Sequence, residues 1–307
     1  MMKTFSGNVY TPKEYIDESI LSSTNSGKSA YVEKWASENL FASQYRINTD
    51  FSIEALDDIN FKGRTKVPVW IKDAHKNIIT YDNCANVSVT LPHSAKSVRF
   101  IKCTDLEHID INGVSDIDTL YFEDCTKLNF ANLKNNNDLK VRRIKIINCG
   151  IDTLSDLTFV SNVIVVEKCK LLNTVDAPLN PMLSVTISKC PIKKFDNVKL
   201  SILTMSELRQ GKKMNINIVR LDELNIFDCD NLKNLTITGN KIQQVSISDC
   251  ENLEALNMEN NCTVSLNLSG LPSITTYNLP EKISGFCTIN DVMTEPQIEC
   301  KKLIKAK

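Results

Sequence analysis

LDELNIFDCDNLKNL, residues Leu221 to Leu235, decides the fold. Its apolar residues fall at Leu221, Leu224, Ile226, Leu232 and Leu235 around Cys229. The same spacing returns in IQQVSISDCENLEAL, Ile242 to Leu256, and in IDTLYFEDCTKL, Ile117 to Leu128. The shared unit is φxxφxφxxCxxφ, with φ apolar. Alternation across φxφ puts two side chains on the same side of a short strand. One such strand cannot bury its own face. Copies stacked at about 4.8 Å per strand can, each pairing its backbone with the next. The pattern therefore predicts a solenoid with its stability spread along the array.

Working outward from that stretch, Ile79, Tyr81 and Val87 flank Cys84, then Val98, Phe100 and Leu106 flank Cys103, and Leu120, Phe122 and Leu128 flank Cys125. Cys149, Cys169 and Cys190 are each preceded by apolar residues five and three positions earlier: Ile144 and Ile146, Ile164 and Val166, Val185 and Ile187. The long gap before Cys229 holds Leu200, Leu203 and Met205, with Leu208 in the cysteine slot. Leu266, Leu268 and Leu271 repeat that substitution, and Cys287, Ile289 and Val292 make a further unit. A degraded first unit has Leu56, Ile59, Phe61 and Val67, with Arg64 where the cysteine would sit.

This unit resembles a leucine-rich repeat of the cysteine-containing kind. The resemblance implies an α/β solenoid, a horseshoe with a parallel concave sheet of about twelve short strands. It also implies a non-enzymatic module that binds another protein through that sheet. The returning segments carry Pro92, Pro178, Pro181, Pro191, Pro272 and Pro280 and are too interrupted for long helices. They predict 3-10 turns, loops and short strands on the convex side. Asn135 to Asp138 reads as a polar loop there.

Three regions follow. Residues 1–55 read as an N-terminal helical cap, 56–295 as the repeat solenoid and 296–307 as a basic C-terminal tail. Thr11-Pro12-Lys13-Glu14 has the capping threonine, first-turn proline and reciprocal glutamate of a helix start, predicting a helix from Pro12 to Leu21. Val32, Trp35, Ala36 and Leu40 recur at helical spacing and predict a second, from Ala30 to Gln44. A solenoid's first unit exposes an apolar edge that such an element covers.

Composition narrows the function classes. The 307 residues carry 36 basic and 37 acidic side chains, so no global field points to nucleic acid or an anionic membrane. MMKTFSGNVY contains no apolar signal core, and no apolar run approaches the ~18 residues of a membrane span. A soluble cytoplasmic protein is the expectation, in the host cytoplasm if it acts as an effector. The composition, heavy in Asn, Ile and Lys, fits a bacterial or phage source, hence an effector or inhibitor of a host protein. The alternative is a structural component of a larger assembly, through self-association or as part of a virion.

Eleven cysteines recur at repeat intervals with no CxxC pair, and Leu208, Leu271 and Val292 replace the residue in its slot. That reads as reduced structural thiols rather than zinc or redox chemistry. Asn86-Val87-Ser88 and Asn234-Leu235-Thr236 match glycosylation sequons, but their middle residues read as core positions. Ser22 to Ser29 ends in GKS at phosphate-loop spacing, yet Ser22 replaces the first glycine, and a Ser-rich connection is the better reading. His75, His93 and His108 form no HExxH pair or triad order. No catalytic residue, metal or cofactor is expected.

Binding is expected at the residues that alternate with the inward ones: Arg99, Ile101, Tyr121, Glu123, Arg143, Lys145, Ile147, Val163 and Val165. Aliphatic and aromatic side chains beside arginines have the composition of a binding hot spot. Later units present mostly Thr186, Ser188, Thr204, Ser206, Ser246, Ser248, Asn267 and Ser269, with Phe227 as the local candidate.

Overall fold

The computed structural model describes residues 44–47, 53–62, 71–111, 115–133, 138–176, 180–209, 211–239, 242–259, 261, 263–280, 283, 285–289 and 292–294. The chain forms two compact units, Met1–Gly150 and Ile151–Lys307. Each is built as a β-solenoid of stacked parallel strands.

In the first unit the strands are β1 (Tyr45–Ile47), β2 (Ile53–Ala55), β3 (Ile59–Lys62), β4 (Ile71–Asp73), β5 (Ile78–Asp82), β6 (Ser88–Leu91), β7 (Ser97–Ile101), β8 (His108–Ile111), β9 (Ser115–Glu123) and β10 (Leu139–Ile147). The repeat strands β3, β5, β7, β9 and β10 pair parallel in that order. The returning strands β6 and β8 pair in a second parallel sheet. A small third sheet joins β1 antiparallel to β2 and β2 parallel to β4.

The second unit contains β11 (Val160–Glu167), β12 (Thr174–Asp176), β13 (Ser184–Ser188), β14 (Lys194–Ser206), β15 (Lys213–Phe227), β16 (Asn234–Gly239), β17 (Ile242–Ser248), β18 (Ala255–Asn257), β19 (Thr263–Ser269), β20 (Thr276–Asn278), β21 (Cys287–Ile289) and β22 (Val292–Thr294). Its main sheet runs β11, β13, β14, β15, β17, β19, β21, all parallel. β22 pairs antiparallel with β21. β12, β16, β18 and β20 build a second parallel sheet with the leading halves of β14 and β15. β15 passes through both: Lys213 to Ile218 pairs with β16, and Leu221 to Phe227 pairs with β17.

The burial of β17, buried at Ile242, Val245 and Ile247 with solvent-facing residues between, reproduces φxxφxφ. In-register stacking turns each φ into a column. Ile79, Val98, Leu120 and Ile144 form one in the first unit, and Tyr81, Phe100, Phe122 and Ile146 form the next. All eight are at most 1 % exposed. Burying an aliphatic or aromatic side chain of this size stabilises by about 1.5–3 kcal/mol, so the columns are the main source of cohesion.

Cysteine stands three positions after φ in φxxC, and strict alternation would point them to opposite faces. The structure resolves this with a left-handed residue just before the slot. Asn83, Lys102, Asp124, Asn148, Lys168, Lys189, Glu207, Asp228 and Asp249 have φ between 48° and 59°, and Gly270 has φ 59°. The reversal swings the next side chain inward, so Cys229 and Leu208 are both buried. The ladder survives the bend, since Asn83, Lys102, Asp124 and Lys168 donate their N–H groups to Ile101, Glu123, Ile147 and Ser188 at 2.7–3.0 Å. The cysteine carbonyl then accepts from the residue three further on, Leu106 to Cys103 at 3.1 Å and Leu232 to Cys229 at 3.0 Å. That β-turn is why φ follows cysteine at CxxΦ spacing.

Several expectations need correction. The α/β class expected from the resemblance is not what the described residues show, since they contain no α-helix; the returning segments are short strands and turns, as their prolines predicted, with one 3-10 turn at Ala131–Leu133. Extended returning segments pair their own backbone in the second sheet, as a helix would otherwise do internally. Most of the expected helical cap, the GKS segment, Arg64, Val67, Asn135 to Asn137 and the basic tail lie outside the described residues, while Tyr45–Ile47 and Ile53–Ala55, inside the expected cap, are strands. Leu56 and Val87, read as core, are 40 % and 46 % exposed. At the second of these Asn86 is buried instead, and the turn after Cys84 runs one residue out of phase with CxxΦ. Ser206, expected outward, is buried.

Candidate binding face of the parallel sheet

The outward side of a repeat strand is set by the columns beneath it, because residues between two inward positions must face away. In the first unit, register brings Thr80, Arg99, Tyr121 and Lys145 into one row across β5, β7, β9 and β10. Asp82, Ile101, Glu123 and Ile147 form the next row. Thr119 and Arg143 form a third, in register with a buried Ser97 on β7. Seven of the residues expected to bind thus lie together: Arg99, Ile101, Tyr121, Glu123, Arg143, Lys145 and Ile147.

Their interactions give the face two characters. Tyr121 donates its hydroxyl to Glu123 Oε2 at 2.6 Å, and Lys145 Nζ lies 5.8 Å above the Tyr121 ring. Burial, and then the hydrogen bond to Glu123, pushes the Tyr121 phenol up to about 12, so it is a neutral donor at physiological pH. Arg99 and Arg143 are exposed and form no ion pair among the described residues. The second row carries the acids, with Asp82 3.9 Å from Lys62 Nζ. Thr80, Asp82 and Thr119 belong to this face and were missed. Their signals were the intervening position of φxφ for Thr80 and the first x of φxxC for Asp82, both in the Cys84 unit, and the second x of φxxφ in the Cys125 unit for Thr119.

In the second unit, Val163 and Val165 are half-buried on β11 and Phe227 ends β15, 36 % exposed. The pairing β11, β13, β14, β15 puts Phe227 three strands from Val165, about 14 Å at ordinary strand spacing. They form no joint patch. The row through Val165 continues as Thr186, Thr204, Asn225, Ser246 and Asn267. Phe227 stands between Ser206 and Ser248 in a polar row.

None of the nine described cysteines is in a disulfide, and all are buried. Their thiols satisfy themselves locally: Cys103, Cys125, Cys149, Cys190, Cys229 and Cys250 donate to the carbonyl two residues back at 3.2–3.5 Å. Cys103 also reaches Tyr81 O of the preceding strand at 3.3 Å. Hydrogen bonding to the neighbouring thiol, and then burial, pushes the Cys84, Cys190 and Cys250 thiols up, and Cys125, bonded on both sides, likewise. At Cys103 and Cys229 the neighbours' hydrogen bonds favour the thiolate and burial opposes it. Neutral thiols packed against carbonyls and one another are the state we assign.

The small third sheet brings two of the histidines near carboxylates. His75 Nε2 bonds Glu54, which also pairs with Arg46 at 3.2 Å. His93 Nδ1 meets Ser94 Oγ at 2.8 Å and Asp73 Oδ2 at 3.9 Å. Serine and aspartate approach the same ring nitrogen, so the imidazole cannot relay between them as a triad histidine does. Among the described residues no group of three or more His, Cys, Asp or Glu could hold a metal ion, and no helix is long and apolar enough to cross a membrane.

Comparison with protein-family models, with curated proteins and with solved structures finds no match.

Proposed function

We propose that the chain is a non-enzymatic protein-binding module that recognises a protein partner through the outward face of its parallel sheet in the first unit. The observation that carries this reading is the juxtaposition of Arg99, Tyr121, Arg143 and Lys145 with the half-buried Ile101 and Ile147 on adjacent, in-register strands. A rigid sheet holds such side chains at low entropic cost, and aromatic and arginine anchors dominate interface energetics.

The finer family reading is a leucine-rich repeat of the cysteine-containing kind. The recurring φxxφxφxxCxxφ unit on stacked parallel strands supports it, and strands in place of returning helices set it apart from the usual form. A bacterial or phage effector or inhibitor acting on a host protein is the biological setting we propose, and the free thiols support a reducing compartment such as the cytoplasm.

Capture from host lysate tests the module. Wild type is expected to retain a partner that the combined Tyr121→Ala, Arg143→Ala, Lys145→Glu variant loses, while Lys233→Ala, a surface change in the second unit, leaves capture unchanged. A partner held equally by the triple variant would remove this face from consideration. Self-association, as in a component of a larger assembly, is the competing reading, supported by the exposed apolar Leu171 and Met182. Light scattering separates the two, since a concentration-independent monomer counts against assembly.

A further inference from the structure

Resting on that reading of the sheet face, we propose that the Arg99, Tyr121, Lys145 row takes an acidic, proline-containing segment of the partner. The segment lies across the strands in the polyproline II conformation with acidic residues at i and i+3.

Register places Arg99 and Lys145 on β7 and β10, one to each side of Tyr121 on β9. The two cations are therefore two strand spacings apart, about 9.6 Å. A polyproline II segment repeats every three residues with a rise of about 3.1 Å, which returns the same face every ~9.3 Å. An extended β-segment of that length turns residues i and i+3 to opposite faces. The periods of the sheet and of the polyproline helix match without distorting either.

The side chains between and beside the cations suit the same ligand. Tyr121 offers a half-buried ring held in place by its bond to Glu123 and by Lys145, and aromatic surfaces are what proline-rich segments dock on. In the adjacent row, Ile101 and Ile147 repeat at the same two-strand interval on either side of Glu123. A polyproline II rod presents its next face at i+1 and i+4, so prolines there meet the two isoleucines. Glu123 repels an acidic residue at those positions and so selects against the shifted register. Arg99 and Lys145 form no ion pair among the described residues, and Lys145 lies over the Tyr121 ring, so an arriving carboxylate displaces no internal carboxylate.

The test uses the full chain and a fluorescent peptide of repeated Glu-Pro-Ser, read by fluorescence anisotropy. Saturable binding is expected, weakened about tenfold by the combined Arg99→Gln, Lys145→Gln variant, since two exposed ion pairs are lost. A peptide with the same number of glutamates, respaced to every fourth residue by an added serine in each repeat, is expected to lose as much against unaltered protein, a comparison that no misfolded variant can confuse. Equal affinity for the respaced peptide, equal binding by the double variant, stronger binding of a helical peptide with glutamates at i and i+7, or no binding at about 1 mM peptide each overturns the proposal. If the peptide fails while the triple variant still loses its captured partner, the polyproline inference falls and the sheet-face reading stands. If the triple variant keeps its partner, the reading itself falls.

Discussion

Lys102, with φ 54°, occupies a backbone conformation that costs a residue bearing a Cβ about 1 kcal/mol or more. The fold requires it there, because only the reversal lets φ and the slot residue both face inward. Lys102→Gly is therefore expected to raise stability by about 0.5–1 kcal/mol, read as an increased urea midpoint. Gly270 is the converse, with φ 59° and a Cβ position 2.4 Å from Asp249 Oδ1 and 3.0 Å from its backbone nitrogen. Gly270→Ala should cost about 1–2 kcal/mol in the same measurement; a neutral result would mean that the neighbouring strand yields. At His75 the side-chain bond to Glu54 comes first in raising the pKa above 6.5, aided by Asp73 and opposed by burial and Arg46. A raised folded pKa means the interaction is fully present below about pH 6.5 and fades as pH rises through the folded value. An NMR titration of His75 should show the elevated pKa, and Glu54→Gln should lower it; an unmoved titration would dismiss the pair.

Phe61, Tyr81, Phe100 and Phe122 make a continuous aromatic column through β3, β5, β7 and β9. The middle rings stack at 4.9 and 5.1 Å and lie within 7° of parallel. Phe130 closes the column edge-on to Phe122 at 5.2 Å. Phe100→Ala is expected to cost about 3–5 kcal/mol, because rings on both sides lose contact and the parallel strands cannot collapse into the gap. Tyr81→Phe should go the other way: its hydroxyl is buried with no hydrogen-bond partner among the described residues, and burial pushes the phenol up. Removing it should be neutral or stabilising by up to about 2 kcal/mol by thermal or urea unfolding. A clear loss would show that the hydroxyl has a partner in the native protein. The inward positions of this column were legible from φxφ spacing. Which face would be aromatic, and that one ring would carry an unsatisfied hydroxyl, depends on how neighbouring strands register.

Across the whole molecule the free thiols report on folding. Iodoacetamide on the native protein should leave Cys84, Cys103, Cys125, Cys149, Cys169, Cys190, Cys229, Cys250 and Cys287 unmodified and label all of them in denaturant, resolved by peptide mass spectrometry. Their burial removes access to the reagent; rapid native labelling at any of them would show that its strand opens readily. Local sequence by itself determined the repeat, the inward columns and the packing role of Cys229, because period-2 alternation and recurrence are written into nearest neighbours along the chain. It also located Arg99, Tyr121 and Lys145 as outward residues. Their alignment in a single row, the separation of Phe227 from Val165, the exposure of Leu56 and Val87, and the pairing of the returning strands into a second sheet were settled only in three dimensions. Each depends on which residue lies opposite which on a neighbouring strand some twenty positions away, and that register is chosen by the summed fit of many columns rather than by any single unit.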